Sequence, residues 1–316
     1  MADLGRPQGA AQDQISFQIG AIVFLAIFWS LNWPMMKIGL TVVEPWTFRA
    51  LLVVVGAIGC FTIAAAAGET IRLPRRDLVP ILLVGLFQGV GWNAFSGFGV
   101  AMIEAGRAAV LAFTMPVWAT LLSVLILGET VTPRRLGGLA LGMAAMALLL
   151  APAFEAMSGQ AIGALLMIGA AMSWAASTIV VKKHDWSISP ITLSAWQFTI
   201  GAGPLWIAAV TLGAPSTLLN VDMPTFWAMA YAALVPMTLC QAIFFALVRR
   251  LPASVASMGT LLVPPFGVLF SAAILGEPVG AAEIGALALV LAAMLLILPG
   301  FSWRASRHPR AMSPPE

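Results

Sequence analysis

Residues 123–129 read SVLILGE, and residues 271–277 read SAAILGE. The two stretches lie 148 residues apart, which is close to half the length of the 316-residue chain. Because apolar stretches match one another easily by chance, the significance of this match depends on the proline, glycine and glutamate residues that the two stretches share. Aligned at the 148 offset, the 25-residue windows that end at the two glutamates share nine identical pairs, among them Pro116 with Pro264, Gly128 with Gly276 and Glu129 with Glu277. The chain therefore contains one structural unit twice.

The beginning of each half repeats as well, at an offset of 145 residues. WSLNWPMMK at 29–37 aligns with WAASTIVVK at 174–182, so that a tryptophan and a lysine coincide. The apolar segments that follow begin at Pro45 and Pro190, which are related by the same offset. The duplication thus includes the first two segments of each half.

The composition is that of an integral membrane protein. Hydrophobic residues make up 60% of the chain and charged residues only 9%, whereas a soluble domain carries about a quarter charged residues. The net charge is only +3 and the basic residues are not clustered, which excludes a nucleic-acid-binding protein. Cys60 and Cys240 lie in apolar runs without other ligands at metal spacing. We interpret them as packing residues and expect no metal and no cofactor.

Ten apolar segments are long enough to cross a bilayer, whose core of about 30 Å needs roughly 20 helical residues. We therefore predict an all-α integral membrane protein with ten transmembrane helices, five in residues 17–152 and five in residues 153–300. Residues 1–16 and 301–316 are predicted to be cytoplasmic tails. The predicted spans are 17–38, 45–67, 78–101, 105–127, 133–151, 160–181, 190–212, 224–248, 253–275 and 281–298.

The basic residues predict the orientation of these helices. If the N-terminus is cytoplasmic, 13 of the 16 lysines and arginines lie on the cytoplasmic side, as the positive-inside rule requires. An even number of spans then places both termini in the cytoplasm. Because five helices per half is an odd number, the two halves must cross the membrane in opposite directions. Such inverted repeats are a known basis of alternating access.

Two five-helix repeats, each with a fourth helix ending in Pro-x11-Gly-Glu, resemble the EamA family of the drug/metabolite transporter superfamily. In length and in its aromatic-rich first and third segments, the chain also resembles the YddG-type bacterial amino-acid exporters. The resemblance implies a multi-pass protein of the bacterial inner membrane that transports its substrate outward. It also implies a central cavity lined by helices 1, 3, 4, 6, 8 and 9.

Polar and aromatic side chains within the spans are the candidates for substrate binding, because polar groups at membrane depth tend to face the interior of the bundle. A serine or threonine can instead bond to its own helix, and a tryptophan can belong to the interfacial belt. Asn93 and Gln241 are equivalent at the 148 offset. The candidates are Trp29, Ser30, Asn32, Gln88, Trp92, Asn93, Phe95, Thr114, Trp174, Ser177, Thr238 and Gln241.

Four prolines and two cations are candidates for kinks or gates. A proline inside a helix lacks the amide hydrogen and leaves a carbonyl without its partner. The prolines are Pro34, Pro116, Pro236 and Pro264, of which the second and fourth are equivalent in the repeat. Ordinary packing kinks are the alternative. Lys37 and Arg49 are candidates for an exterior gate, with snorkelling to the membrane surface as their alternative.

These features predict a secondary transporter, not an enzyme. No carboxylate relay occurs near the middle of a span, so we expect facilitated transport or exchange by a monomer in the lipid bilayer. Neutral or zwitterionic metabolites, especially amino acids, suit an aromatic interior without charge. Export of drugs or other neutral metabolites is the alternative, and a channel would share the repeat. A scaffold has no need of the repeat, and no catalytic centre can be assembled at membrane depth. We interpret Glu129 and Glu277 as residues of helix ends.

Overall fold

The structure, a computed structural model, describes residues 8–127, 133–155, 159–241, 243 and 262–297. The described residues form helices joined by short connections, and they contain no strand. The helices are numbered in chain order. Seven are single segments: α1 (Gln8–Val42), α2 (Pro45–Ala66), α5 (Pro133–Glu155), α6 (Gly159–Lys183), α7 (Pro190–Thr211), α9 (Val263–Leu275) and α10 (Ala281–Ile297).

Three helices are composite. In α3 an α-helix (Leu78–Val84) is followed by a π-helix (Gly85–Trp92) and a second α-helix (Asn93–Met102). In α4 the segments Ala105–Ala112 and Met115–Leu127 are separated by a two-residue break. In α8 an α-helix (Met223–Leu234) continues into a π-helix (Val235–Cys240). Short 3-10 turns at Arg75–Asp77 and Pro215–Asn220 precede α3 and α8.

Seven of the described helices are long and apolar enough to span a membrane. The apolar helices at Leu136–Leu149, Val263–Leu275 and Ala281–Leu296 are shorter. Ten spans and cytoplasmic termini therefore stay predictions. The helix α1 begins at Gln8, before the first predicted span at residue 17, and the bounds of that span stay a prediction. The seven helices are Val23–Val42, Pro45–Ala66, Arg75–Met102, Ala105–Ile126, Gly159–Lys183, Pro190–Thr211 and Met223–Cys240.

The second helix of each half begins in the same way. Glu44 caps α2 by accepting hydrogen bonds from the backbone amides of Trp46 (2.9 Å) and Thr47 (3.0 Å). Ser189, which is 145 residues further along, caps α7 by accepting from the amide of Thr192 at 3.3 Å. A proline follows each cap, where its missing amide hydrogen costs nothing. The repeat seen in the sequence is therefore also a repeat of local structure.

The equivalent prolines Pro116 and Pro264 lie in the first turn of a helical segment, not in the middle of a continuous helix. The segment Met115–Leu127 begins one residue before Pro116, and α9 (Val263–Leu275) begins one residue before Pro264. Both segments have 13 residues and coincide at the 148 offset. Proline favours this position because the first-turn amides have no partner within the helix. The role of these two prolines as kinks or gates stays a prediction.

The two halves interlock instead of forming separate bundles. The second helices of the halves, α2 and α7, pack along each other, and so do the fifth helices, α5 and α10. The first helix of each half packs on the fourth helix of the other, α1 on α9 and α6 on α4. Each of these contacts maps onto itself or onto its counterpart when the halves are exchanged. The candidate site lies among such exchanged contacts.

Candidate substrate-binding site

Among the described residues, each half contains one π-helix, and the two end at equivalent positions. The first ends at Trp92 and the second ends 148 residues later at Cys240. A π-helix is a rare, widened turn that occurs frequently at functional sites. In α8 its cause is Pro236, which has no amide hydrogen to donate. The same distortion in both halves marks a region that the duplication has retained.

Polar side chains satisfy the carbonyls that the widened turns release. Asn93 directly follows the first π-helix, and its Nδ2 donates to the carbonyls of Gln88 (3.1 Å) and Gly89 (2.9 Å). In the second π-helix, the hydroxyl of Thr238 donates to the carbonyl of Ala233 at 3.3 Å. Buried carbonyls need such partners in the absence of water. Asn93 and Thr238 therefore stabilise the distorted backbone.

Each π-helix packs against the second helix of the other half. A Cβ atom on Gly89 would lie 2.4 Å from the carbonyl oxygen of Gln197 in α7, so backbone touches backbone there. In the equivalent contact, a Cβ atom on Gly56 of α2 would lie 3.2 Å from Cβ of Met237. Met237 is the counterpart of Gly89 at the 148 offset. The contact is the same in both halves, but its side chains differ.

A polar pair lies beside each π-helix, again at equivalent positions. Nη1 of Arg49 in α2 donates to Oδ1 of Asn93 at 3.5 Å. Nε2 of Gln241 donates to Oγ of Ser194 in α7 at 3.2 Å. Asn93 and Gln241 are related by the 148 offset, and Arg49 and Ser194 by the 145 offset. The structure thus shows one contact twice, with a cation in the first half and a hydroxyl in the second.

Arg49 is buried without a carboxylate partner. Its side chain is 4% exposed. Nη2 donates to Oγ of Ser96 at 2.8 Å and approaches Sδ of Met36 at 3.5 Å, while Nε has no hydrogen-bond partner. Over the described residues, no ion pair involves Arg49. A buried charge with only neutral partners is unfavourable unless something else compensates it.

Aromatic side chains approach both π-helices from the first helix of the other half. Trp174 of α6 packs edge-to-face on Trp92, with ring centroids 4.8 Å apart. Its counterpart Trp29 of α1 directs Nε1 toward the carbonyl of Pro236 at 3.4 Å. One turn beyond Trp174, the hydroxyl of Ser177 donates to Oε1 of Gln88 at 2.9 Å. Gln88, Trp92, Trp174 and Ser177 therefore lie with Asn93 beside the first π-helix, and Trp29 lies beside the second.

The remaining predicted residues are more scattered. The hydroxyl of Ser30 donates to its own helix at Ala26 and to the carbonyl of Val263 at 3.0 Å, which ties α1 to the start of α9. Thr114 lies in the break of α4 and donates only to the carbonyl of Leu111, at 2.7 Å. Asn32 donates to Sδ of Met36 at 3.1 Å, and its Oδ1 is buried without a partner. Phe95 is 39% exposed and does not join the cluster. Pro34 is buried within the continuous helix α1.

The two cations predicted at an exterior gate both form hydrogen bonds within the protein. Nζ of Lys37 donates to the carbonyls of Val100 (2.8 Å), Ala101 (3.0 Å) and Ile103 (2.7 Å). These carbonyls lie at the C-terminal end of α3, where an ammonium ion satisfies free carbonyls and interacts favourably with the helix dipole. Lys37 thus binds α1 to the end of α3, whereas Arg49 lies deeper, beside Asn93.

Glu277, interpreted as part of a helix end, has a second role that the sequence analysis missed. Gly276 does end α9 in the left-handed conformation (φ 68°). The carboxylate of Glu277 then accepts hydrogen bonds from the amides of Ala105 (2.7 Å) and Gly106 (2.9 Å), which begin α4 in the other half. An ion pair of 2.6 Å between Arg107 and Glu283 joins the same two halves. Glu129, its repeat counterpart, lies outside the described residues.

The model of the EamA-like transporter family matches the chain twice, over residues 16–151 and 161–298. The chain belongs to the EamA-like transporter family. It is 28% identical over 277 residues to the uncharacterized transporter YvbV of Bacillus subtilis, covering 87% of this chain and 90% of that protein. It is 25% identical over 290 residues to a probable amino-acid metabolite efflux pump of Salmonella typhimurium, covering 89% and 95%.

A solved crystal structure has the same fold as this EamA-like transporter. The two superpose with a TM-score of 0.61 at 17% sequence identity, over 88% of this chain and 96% of the other. At that identity the likeness concerns the fold alone. The relatives named above have transporter or efflux-pump names, which agrees with the membership of this multi-pass membrane protein in a transporter family.

The sequence did not single out Ser194 and Ser96 as site residues, and it did not indicate the contact of Glu277 with α4. Ser194 is the 145-offset counterpart of Arg49, so the repeat alone could have pointed to it. Ser96 lies one turn after Asn93 on the same helix face, a spacing that indicates a shared environment. Glu277 belongs to the repeated Gly-Glu motif, but the amides that it contacts, those of Ala105 and Gly106, lie in the other half. That pairing has no signal in a single sequence.

Proposed function

We propose that this protein moves small neutral or zwitterionic metabolites, amino acids foremost, outward across the bacterial inner membrane by alternating access. The observation that carries the proposal is the pair of equivalent contacts, Arg49 with Asn93 and Ser194 with Gln241. Each contact joins the π-helix region of one half to the second helix of the same half.

Alternating access follows from the predicted inversion of the halves. With five helices in each half, equivalent positions lie on opposite sides of the membrane midplane, so the Arg49 contact faces the exterior half and the Ser194 contact the cytoplasmic half. Rocking of the halves, at the contacts where each π-helix packs against the second helix of the other half, would open the region of one contact while it closes the region of the other. In the described conformation Glu277 and the Arg107–Glu283 ion pair join the halves at the predicted exterior end. We infer that this conformation is closed toward the exterior.

The chemistry of the site supports a small substrate with both polar and apolar parts. The amides of Asn93 and Gln241 are 1% and 7% exposed and can exchange their present partners for those of a polar head group. The Trp92–Trp174 pair offers aromatic surface to an apolar side chain. A multiply anionic substrate would need several cations, and in the described part of the site Arg49 alone supplies one. The name of the Salmonella relative, a probable amino-acid metabolite efflux pump, agrees with this class.

Transport without ion coupling and by a monomer are parts of the same proposal. Proton-coupled transporters use carboxylates at membrane depth, and the described contacts of the π-helix region involve amides, hydroxyls and Arg49 but no carboxylate. A monomer suffices because α2 with α7, and α5 with α10, complete the packing between halves within one chain.

Counterflow in proteoliposomes tests this function. Vesicles are loaded with one unlabelled amino acid, and labelled phenylalanine, methionine or threonine is added outside without an ion gradient. We expect saturable accumulation that requires the internal substrate, and its loss in Asn93→Leu and Gln241→Leu. Thr178→Leu is the matched control, because Thr178 is exposed and bonds to the carbonyl of Trp174 in its own helix.

Three outcomes would contradict parts of the proposal. Unsaturable flux would indicate a channel. Normal counterflow in both leucine variants would remove Asn93 and Gln241 from the pathway. No accumulation of any amino acid, repeated with a proton gradient, would reject amino acids and favour drugs or other neutral metabolites.

A further inference from the structure

We infer that Arg49 binds the carboxylate group of the transported substrate. The inference rests on the proposed function and adds to it the subsite that recognises one part of the substrate. It starts from a charge that the described protein leaves uncompensated.

The hydrogen bonds of Arg49 leave part of its donor capacity unused. A guanidinium carries five N–H donors in a planar fork. Three contacts are made, to the oxygens of Asn93 and Ser96 and to the sulfur of Met36, and Nε–H has no acceptor. The contacts to Asn93 and Met36 are long, at 3.5 Å each, so they are weak and easily exchanged. A carboxylate would accept from Nε and one Nη together, in the geometry that arginine prefers.

The burial of Arg49 makes a purely structural role costly. The side chain is 4% exposed and lies in a helix that spans the membrane. Ionisable residues in such helices are rare, are usually paired and mark the paths of substrates or ions. The ring of Phe48 lies 5.9 Å from the guanidinium carbon, which gives only a weak cation–π contact. A bound carboxylate would supply the missing counter-charge.

The residue next to Arg49 in the structure leaves space for its long side chain, and the equivalent residue in the second half is different. A Cβ atom on Gly97 would lie 3.0 Å from Cγ of Arg49, so the glycine makes room for the stem. The residue equivalent to Gly97 in the second half is Phe245. There the partner of the amide is Ser194, a small neutral side chain. The cation and the space for it thus occur together, in one half.

The competing explanation is that Arg49 only fills space beside Gly97 and bonds to Ser96. The two explanations predict opposite effects on stability. Removing a structural arginine would destabilise the protein, whereas removing an uncompensated buried charge leaves stability unchanged or raises it.

Ligand binding to the purified protein in detergent, measured by isothermal titration calorimetry, tests the inference directly. Phenylalanine, methionine and threonine are each compared with their carboxamides, which retain the amine and the side chain but lack the carboxylate. We expect the wild-type protein to prefer the amino acid by roughly 10- to 100-fold, the scale of hydrogen bonds to a charged group. Arg49→Gln should abolish that preference and keep the melting temperature. Arg49→Lys should retain part of it, because the charge remains without the fork.

Arg76→Gln is the control, because Arg76 is an exposed cation outside the candidate site and should not change the preference. The inference is overturned if Arg49→Gln keeps the wild-type preference, if the wild-type protein binds no amino acid of the panel, or if Arg49→Gln and Arg49→Lys both lower the melting temperature. Failure of the proposed function looks different. In that case the carboxylate preference and its loss in Arg49→Gln are seen, while counterflow is absent.

Discussion

Two regions of this transporter have the same backbone and different chemistry. Beside the π-helix of α3, Asn93 contacts the arginine Arg49, and beside the π-helix of α8, Gln241 contacts the serine Ser194. The duplication has kept the widened turn, the amide and the helix against which they pack. Only the partner of the amide differs in charge. Architecture is therefore shared between the halves, while substrate recognition can be carried by one of them.

The glycine contacts show the same pattern. Where α3 meets α7, Gly89 and Gly201 bring two backbones together. Where α8 meets α2, Gly56 faces the side chain of Met237 instead. The first contact is rigid because backbone cannot move aside, and the second can adjust through a flexible methionine. The difference predicts unequal responses to equivalent substitutions.

The largest effect is expected when the cation is copied into the second half. Ser194 is completely buried, so Ser194→Arg should lower the free energy of unfolding by about 3–5 kcal/mol through an uncompensated buried charge. Chemical unfolding of the purified protein measures this, with Ser194→Ala as a mild control that removes one hydrogen bond. A Ser194→Arg protein as stable as the wild type would show that the halves are interchangeable at this position.

A smaller effect is expected at the glycine contacts. A Cβ atom on Gly201 would lie 2.6 Å from the backbone of Gly89, whereas one on Gly203 meets nothing within 4 Å. Gly201→Ala should cost about 1–3 kcal/mol by overpacking, and Gly203→Ala should be neutral or stabilise the helix by up to about 1 kcal/mol. Gly56→Ala should fall between them because Met237 can move. Equal melting temperatures for all three variants would contradict the backbone contact.

The cap between the halves gives a third and still smaller effect. Glu277→Ala removes the acceptor of two amides that begin α4, and it should cost about 1–2 kcal/mol, as for other N-terminal caps. Glu277→Gln retains one oxygen and should recover part of the loss. If Glu277→Ala unfolds like the wild type, the carboxylate does not join the halves in solution.

The smallest effect concerns the caps of the second helices. Ser189→Ala should cost about 1 kcal/mol, and Ser189→Asp should be neutral because a carboxylate can cap the same amides. Glu44→Ala should cost more than Ser189→Ala, since Glu44 also accepts from the amide of Ala214 at 3.4 Å. Thermal melts of the four proteins, wild type included, rank these values. The reverse order would contradict the assigned caps.

Much of the fold was predictable because its causes are local. The apolar segments, the capped prolines Pro45 and Pro190, and the glycine end of α9 depend on residues close in sequence. The alignment also predicted that Asn93 and Gln241 are equivalent. The π-helices could not be predicted, because the widened turns depend on contacts with α2 and α7 as well as on Pro236. Pro116 was predicted as a kink, and the structure shows a two-residue break in α4 just before it.

By itself, the sequence determined the membrane class, the duplication and the family, since hydrophobicity and repeated motifs are properties of the linear chain. Only the tertiary structure decided which polar groups meet. Arg49 lies beside Asn93 and not at the membrane surface because the packing of α2 on α3, with space at Gly97, directs its side chain inward. Glu277 reaches α4 for a similar reason, because the interlocked halves bring together residues 171 or more positions apart. Helical periodicity states which residues share a face, and packing between helices decides what that face contacts.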